Sequence, residues 1–225
     1  MDNFVKLIEA EFKKHADPLN ALGQKAYMRN QFEYFGIKSP IRKEIQRPFL
    51  RKEALPSKQE LPDIVKELWN IQQRELQYFA MELVSKYNRQ FEEDDIALFE
   101  WMLTHKSWWD TVDFIAAHII GGYFEIFPEK RDKIIERWIN SGNIWLMRSS
   151  LLFQLKYNDK LDTDFLTFVI YSVSGSKEFF INKAIGWILR QYSKTNPQWV
   201  IDFVNNNELN NLSRREAFKV INKVV

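Results

Sequence analysis

One short stretch, Lys106-Ser107-Trp108-Trp109-Asp110-Thr111-Val112-Asp113, brings together an indole and a carboxylate at a spacing that permits joint chemistry. Trp109 and Asp113 are four residues apart, so on a helix they share one face. Val112, Ile115, Ala116 and Ile119 form an apolar stripe at helical spacing on a different face. Ser107 reads as the N-cap of this helix, and Asp110 closes a capping-box-like pair with it. An indole face attracts positive charge by ~0.5–2 kcal/mol. A preorganised carboxylate aimed at developing positive charge is worth on the order of 3 kcal/mol, by analogy with single oxyanion-hole donors. The pair is suited to holding a cation. The plain alternative is a Trp half-covered by a neighbouring helix with Asp113 solvated beside it.

The elements that must position this pair are helices. A first helix is expected from about Asp2 to Ala16, ending at Asp17-Pro18. A second, about Asn20 to Phe35, carries Tyr27 and stops at Gly36 as a C-cap glycine. Ser39-Pro40 opens a third, with Ser39 as N-cap and Pro40 at the first helical position. Lys38, Arg42, Lys43, Arg47, Arg51 and Lys52 surround that start, making a phosphate seat or a solvated basic face. Further helical stretches follow at roughly 62–70, 74–87, 94–105, 108–123, 129–141, 144–157, 163–173, 177–193, 197–205 and 213–224. Ser213-Arg214-Arg215-Glu216 reads as a capping box for the last. Every second helix has a related start, at Arg74, Trp108, Ile144, Phe180 and Arg214, recurring every ~35 residues as in two-helix repeats. No alternating strand pattern competes. The expectation is an all-α chain, an α-solenoid of about six antiparallel helix pairs forming one domain over residues 1–225.

Second helices of such pairs line the concave surface of a solenoid. Trp109, Asp113, Arg148 and Trp187 fall on them about one repeat apart, with Lys106, Lys156, Lys183, Arg190, Lys194, Arg214 and Arg215 on the same helices or their ends. Acids such as Glu92, Glu93, Asp94, Asp95, Asp132 and Glu136 fall mostly on first helices or turns. A basic face is therefore compatible with a net charge of only +2.

Composition removes several chemistries. With no Cys there is no disulfide framework or thiol catalysis, and a cytoplasmic location is expected. The start is no signal peptide, and no apolar run is long enough to span a bilayer. His15, His105 and His118 form no ligand cluster, so no metal is expected. Scattered glycines offer no phosphate cradle, and no cofactor is expected. No hydroxyl nucleophile sits beside a His. No second carboxylate joins Asp113 on its face, so general acid and general base cannot both be assigned.

What remains is cation stabilisation, with Arg148 to seat a phosphate. Cationic chemistry on a phosphate-bearing polymer points to cleavage of a glycosidic bond in DNA through an oxocarbenium-like state. A single carboxylate suffices when the leaving base is already cationic, as in purines alkylated at N3 or N7. The run from Lys106 to Asp113, then Asn143-Ile144-Trp145-Leu146-Met147-Arg148, then Ser176 to Arg190, resembles the AlkD-type DNA alkylation repair glycosylases over nearly the whole chain. The resemblance implies HEAT-like repeats and excision of N3- and N7-alkylpurines from duplex DNA. It implies Asp113 as the catalytic aspartate, and Trp109, Trp187 and Tyr27 as sugar-facing aromatics. It implies Arg148 as a phosphate contact. Lys38, Ser39, Arg42, Lys43, Lys106, Lys183 and Arg190 are the further expected DNA contacts, and the protein is expected to be a monomer, at the nucleoid when on DNA. The competing expectation is a non-catalytic solenoid binding a protein or an undamaged or branched nucleic acid.

Overall fold

The computed structural model describes residues 2–221. It is all-α with the α-solenoid arrangement of paired helices joined by short turns. Among the described residues there is no strand, only an isolated bridge between Glu33 and Gln73. No described helix is long and apolar enough to cross a membrane. The chain forms two compact units, one ending at Gln90 and one beginning at Phe91.

The N-terminal unit contains α1 (Asp2–Lys14), α2 (Pro18–Tyr27), α3 (Ser39–Gln46), α4 (Leu61–Asn70) and α5 (Arg74–Ser85). Its core is aromatic, with Phe12 edge-on to both Phe35 and Phe79. Two expected boundaries move. Helix α2 stops at Tyr27 rather than near Phe35, because Arg29 and Asn30 adopt left-handed backbone at φ 54° and 57°. Gly36 is consequently no helix cap. It lies at φ 92° where a Cβ would sit 2.0 Å from the Asp17 carbonyl oxygen. Its N–H, with those of Phe35 and Ile37, donates to the buried Glu75 carboxylate, which anchors the crossing segment to α5. The second shift is at α3, where Lys38 is the N-cap and Ser39 and Pro40 are already helical.

The C-terminal unit begins with α6 (Asp95–Thr104). Helix α7 (Trp109–Phe114) runs through a π-helical segment (Ile115–Ile120) into α8 (Gly121–Ile126). Periodicity predicts this stretch as plain α-helix. The wider π turn instead lets Ile115, Ala116, Ala117, Ile119 and Ile120 all face the core. After α9 (Arg131–Ile139) come α10 (Ile144–Leu152), α11 (Thr163–Ser172), α12 (Phe179–Tyr192), α13 (Pro197–Asn206) and α14 (Asn211–Ala217). The expected final helix is corrected at both ends: it is capped by Asn210 through Leu212 N–H at 2.9 Å, and it stops at Ala217, followed by a turn at 218–220. The expected stretch beyond 221 lies outside the described residues. The second helices stack in order, α10 against α7 and α12, and α12 against α14. That stack positions the site.

Candidate active site

Asp113 lies one turn after Trp109 on α7, and both are half-buried at the edge of the stack. Val112, Ile115, Ala116 and Ile119 are fully buried, so the core takes one face of this helix and leaves the Trp–Asp face to other partners. Asp113 is not solvated. Arg148, one repeat later on α10, grips both carboxylate oxygens, Nε to Oδ1 at 2.7 Å and Nη2 to Oδ2 at 2.9 Å. The third guanidinium nitrogen, Nη1, donates to the Phe180 carbonyl at the start of α12. One side chain thereby joins three consecutive second helices. Asn143 caps α10 by accepting from Trp145 and Leu146 N–H, which fixes where Arg148 emerges.

The Arg148 side chain is 4% exposed, and its hydrogen bonds to Asp113 and Phe180 orient the acid. Asp113 keeps 13% of its side chain exposed, and its oxygens have lone-pair directions beyond those that Arg148 uses. Burial pushes its carboxyl above the ordinary value, while the hydrogen bonds and charge of Arg148 pull the other way. A bidentate guanidinium requires the ionised form. The arrangement is a fixed, partly desolvated carboxylate beside an indole.

Ser107 is not the helix N-cap. Trp108 holds that position in extended backbone, and the Ser107 hydroxyl donates to the Leu103 carbonyl at 2.6 Å. Lys106 is exposed, held at φ 47° in the turn. Trp108, Trp145 and Phe180, one ring from each of three repeats, form a mutually contacting cluster with centroid distances of 5.7, 4.9 and 5.3 Å. Trp145 and Phe180 lie outside the set that the Trp109–Asp113 spacing singles out. The repeat spacing could have found them, since stacked repeats bring residues roughly 35 apart into contact.

Trp187 is half-buried on α12. Gly186 before it admits close packing, for a Cβ there would lie 2.4 Å from Glu216 Cβ and 2.7 Å from Ser213 O. The capping-box reading of Ser213 and Glu216 is corrected by these contacts. Ser213 Oγ donates to the Asn182 carbonyl at 2.8 Å, and Glu216 turns inward to Lys183 at 2.8 Å and Arg190 at 2.9 Å. Lys183 and Arg190 are thus paired, partly exposed cations. In the N-terminal unit Tyr27 is 72% exposed at the end of α2, and Lys38, Ser39 and Lys43 are exposed on α3 or at its start. Arg42 differs: it is buried and donates to Gln46 and Glu82 at 2.7 Å each.

An acid held by a guanidinium on the stacked second helices of a helical-repeat protein defines the class. Residues 8–221 match the family model of the DNA alkylation repair enzymes. Among solved structures, the chain is similar to a protein from Enterococcus faecalis described as a predicted DNA alkylation repair enzyme. The two share 32% identity with a TM-score of 0.83, over 91% of this chain and 95% of that one. No curated protein matches the chain. The chain belongs to the DNA alkylation repair enzyme family, and its HEAT-like helical fold and role in DNA repair follow from that membership.

Proposed function

We propose that the protein is a DNA glycosylase that hydrolyses the N-glycosidic bond of positively charged N3- and N7-alkylpurines in duplex DNA. The observation that carries this reading is Asp113, a partly desolvated carboxylate fixed by both oxygens to Arg148 beside the Trp109 indole. As the bond from the anomeric carbon to the base breaks, its electron pair leaves with the cationic base, which departs neutral. Positive charge develops on the sugar, and Asp113 stabilises it from a fixed position. Trp109, with Trp187, offers indole faces to the same charge. Water then adds to the anomeric carbon, directed by Asp113, and its proton passes to solvent. Exposed Lys38, Lys43 and Lys106 are the cations proposed to meet phosphates.

Only one carboxylate is assigned, and nothing is assigned to protonate a neutral leaving base. Excision should therefore follow the charge on the base. The test places a cationic 7-alkylguanine and a neutral lesion such as uracil or hypoxanthine in the same duplex context, under single-turnover conditions. Release of the cationic base with the neutral one left in place is expected. Comparable release of both would demand an acid or a base-reading pocket and would overturn the mechanism.

A further inference from the structure

We propose that the rings of Trp108, Trp145 and Phe180 are the positioning element of the acid: they hold the Phe180 carbonyl where Arg148 needs it, and thereby set the direction of the Asp113 carboxylate. The proposal rests on the glycosylase reading and adds to it residues that act on the acid through Arg148.

Each ring belongs to the start of one helix of the stack. Trp108 is the N-cap of α7, in extended backbone, and its carbonyl accepts the Val112 N–H at 3.1 Å. Trp145 stands in the first turn of α10, one turn before Arg148, and Phe180 in the first turn of α12. Trp108 meets Phe180 edge-on at 5.3 Å, and Trp145 is tilted against the same ring at 4.9 Å. Edge-on and tilted contacts of this kind favour one relative orientation of the rings. The cluster therefore registers the starts of α7, α10 and α12 on one another.

Phe180 meets Arg148 twice. Its carbonyl accepts from Nη1, and its ring centroid lies 5.9 Å from the guanidinium carbon. The guanidinium is planar, so an anchor at Nη1 fixes the plane from which Nε and Nη2 reach Asp113. A packing cluster anywhere in the core would stabilise the fold. This one converges on the residue whose carbonyl holds the third nitrogen of the arginine that grips the acid. Small errors there are costly, since a displacement of about 1 Å can lower a rate on the order of a hundredfold. The Trp108 Nε1 is buried and has no hydrogen-bond partner among the described residues. A buried donor left unpaired is unfavourable, so Trp108 serves the cluster through its ring and not through its N–H.

The experiment uses the full chain with Trp108→Ala and Trp108→Phe, each also combined with Arg148→Met, and circular dichroism to verify folding. Phe180→Leu keeps the carbonyl and removes the ring, and it takes the place of Trp108→Ala should that variant not fold. Single-turnover release of 7-methylguanine at saturating enzyme should fall about ten- to hundredfold in Trp108→Ala, with duplex affinity within about twofold of the wild type. Trp108→Phe should recover most of that loss. In the Arg148→Met background Trp108→Ala should cost little more, because the two changes break one chain of contacts. Hydrogen exchange of the Arg148 Nε–H, read by NMR, should quicken roughly tenfold in Trp108→Ala. A folded Trp108→Ala with wild-type release and wild-type exchange makes the cluster packing alone, and the proposal fails with the glycosylase reading untouched. Full additivity with Arg148→Met, or a Trp108→Phe as damaged as Trp108→Ala, also overturns it. If the wild type releases no cationic base, the glycosylase reading fails, and the exchange measurement still decides whether the rings hold Arg148.

Discussion

A carboxylate tied through both oxygens to one guanidinium is fixed in direction as well as in charge. Asp113→Asn removes the charge and also sets an amide N–H where Arg148 needs an acceptor. Base release should fall about a hundredfold, on the scale of ~3 kcal/mol, while affinity for duplex DNA holds or rises. Near-wild-type release would take Asp113 out of the mechanism. The pH profile carries a signed expectation. Burial raises the folded pKa of Asp113, and activity needs the ionised form, so release should be lost as pH falls through a value above that of an ordinary aspartate. Arg148→Met removes the influence that lowers this pKa, so the acid limb should move to higher pH. The same variant leaves a buried carboxylate without its partner, at a cost on the order of 3 kcal/mol in stability. An acid limb that stays where it was would mean that Arg148 does not set the protonation of Asp113.

At the level of helices, the π segment and the α12–α14 contact make separate predictions. The π turn holds one residue more than an α turn, so deleting Ala117 should restore α geometry. Because the extra residue is taken up within one turn, Trp109 and Asp113 keep their direction relative to α8. Far-UV helicity and base release should both survive; lost release would show that the wider turn itself positions the pair. Gly186→Ala drives a methyl into Glu216 and Ser213 and should cost roughly 1–3 kcal/mol in a denaturant titration.

These elements also show where legibility stopped. Helix identity and repeat period were readable because the apolar stripes are long and the turns are marked by Pro128, Gly142 and Gly175. The face shared by Trp109 and Asp113 was readable from spacing alone. The π turn was not, since its apolar run fits an α-helix nearly as well. The pairing of Arg148 with Asp113 was present as a difference of 35 in residue number, matching the repeat. A cation met first as a cation is read as reaching outward, and only the stacking of α7 on α10 turns it inward. The roles of Ser107, Ser39 and Ser213 are not legible in the sequence for one shared reason: a hydroxyl before a helix has several acceptors and donors in reach, and tertiary packing chooses among them.

For the molecule as a whole, the formal charge of +2 conceals an imbalance between the units. Residues 1–90 hold sixteen Lys and Arg against twelve Asp and Glu, and residues 91–225 hold sixteen against eighteen. The surplus that would draw in a polyanion lies in the N-terminal unit. Exposed Lys38 and Lys43 should therefore contribute about one unit each to the salt slope of duplex binding. Arg42→Ala should instead lower the melting temperature with the slope unchanged, because Arg42 is spent on Glu82 and Gln46. A flattened slope for Arg42→Ala would place it on the DNA after all.

The three-way grip of Arg148 has a consequence for how the protein fails. In a linear array each repeat leans on its neighbours, and order is lost segment by segment. Because one guanidinium spans α7, α10 and α12, a slip at either junction frees the acid while most helices are still wound. Enzymatic output is then a tripwire for the array, going silent in mild denaturant ahead of the circular dichroism signal.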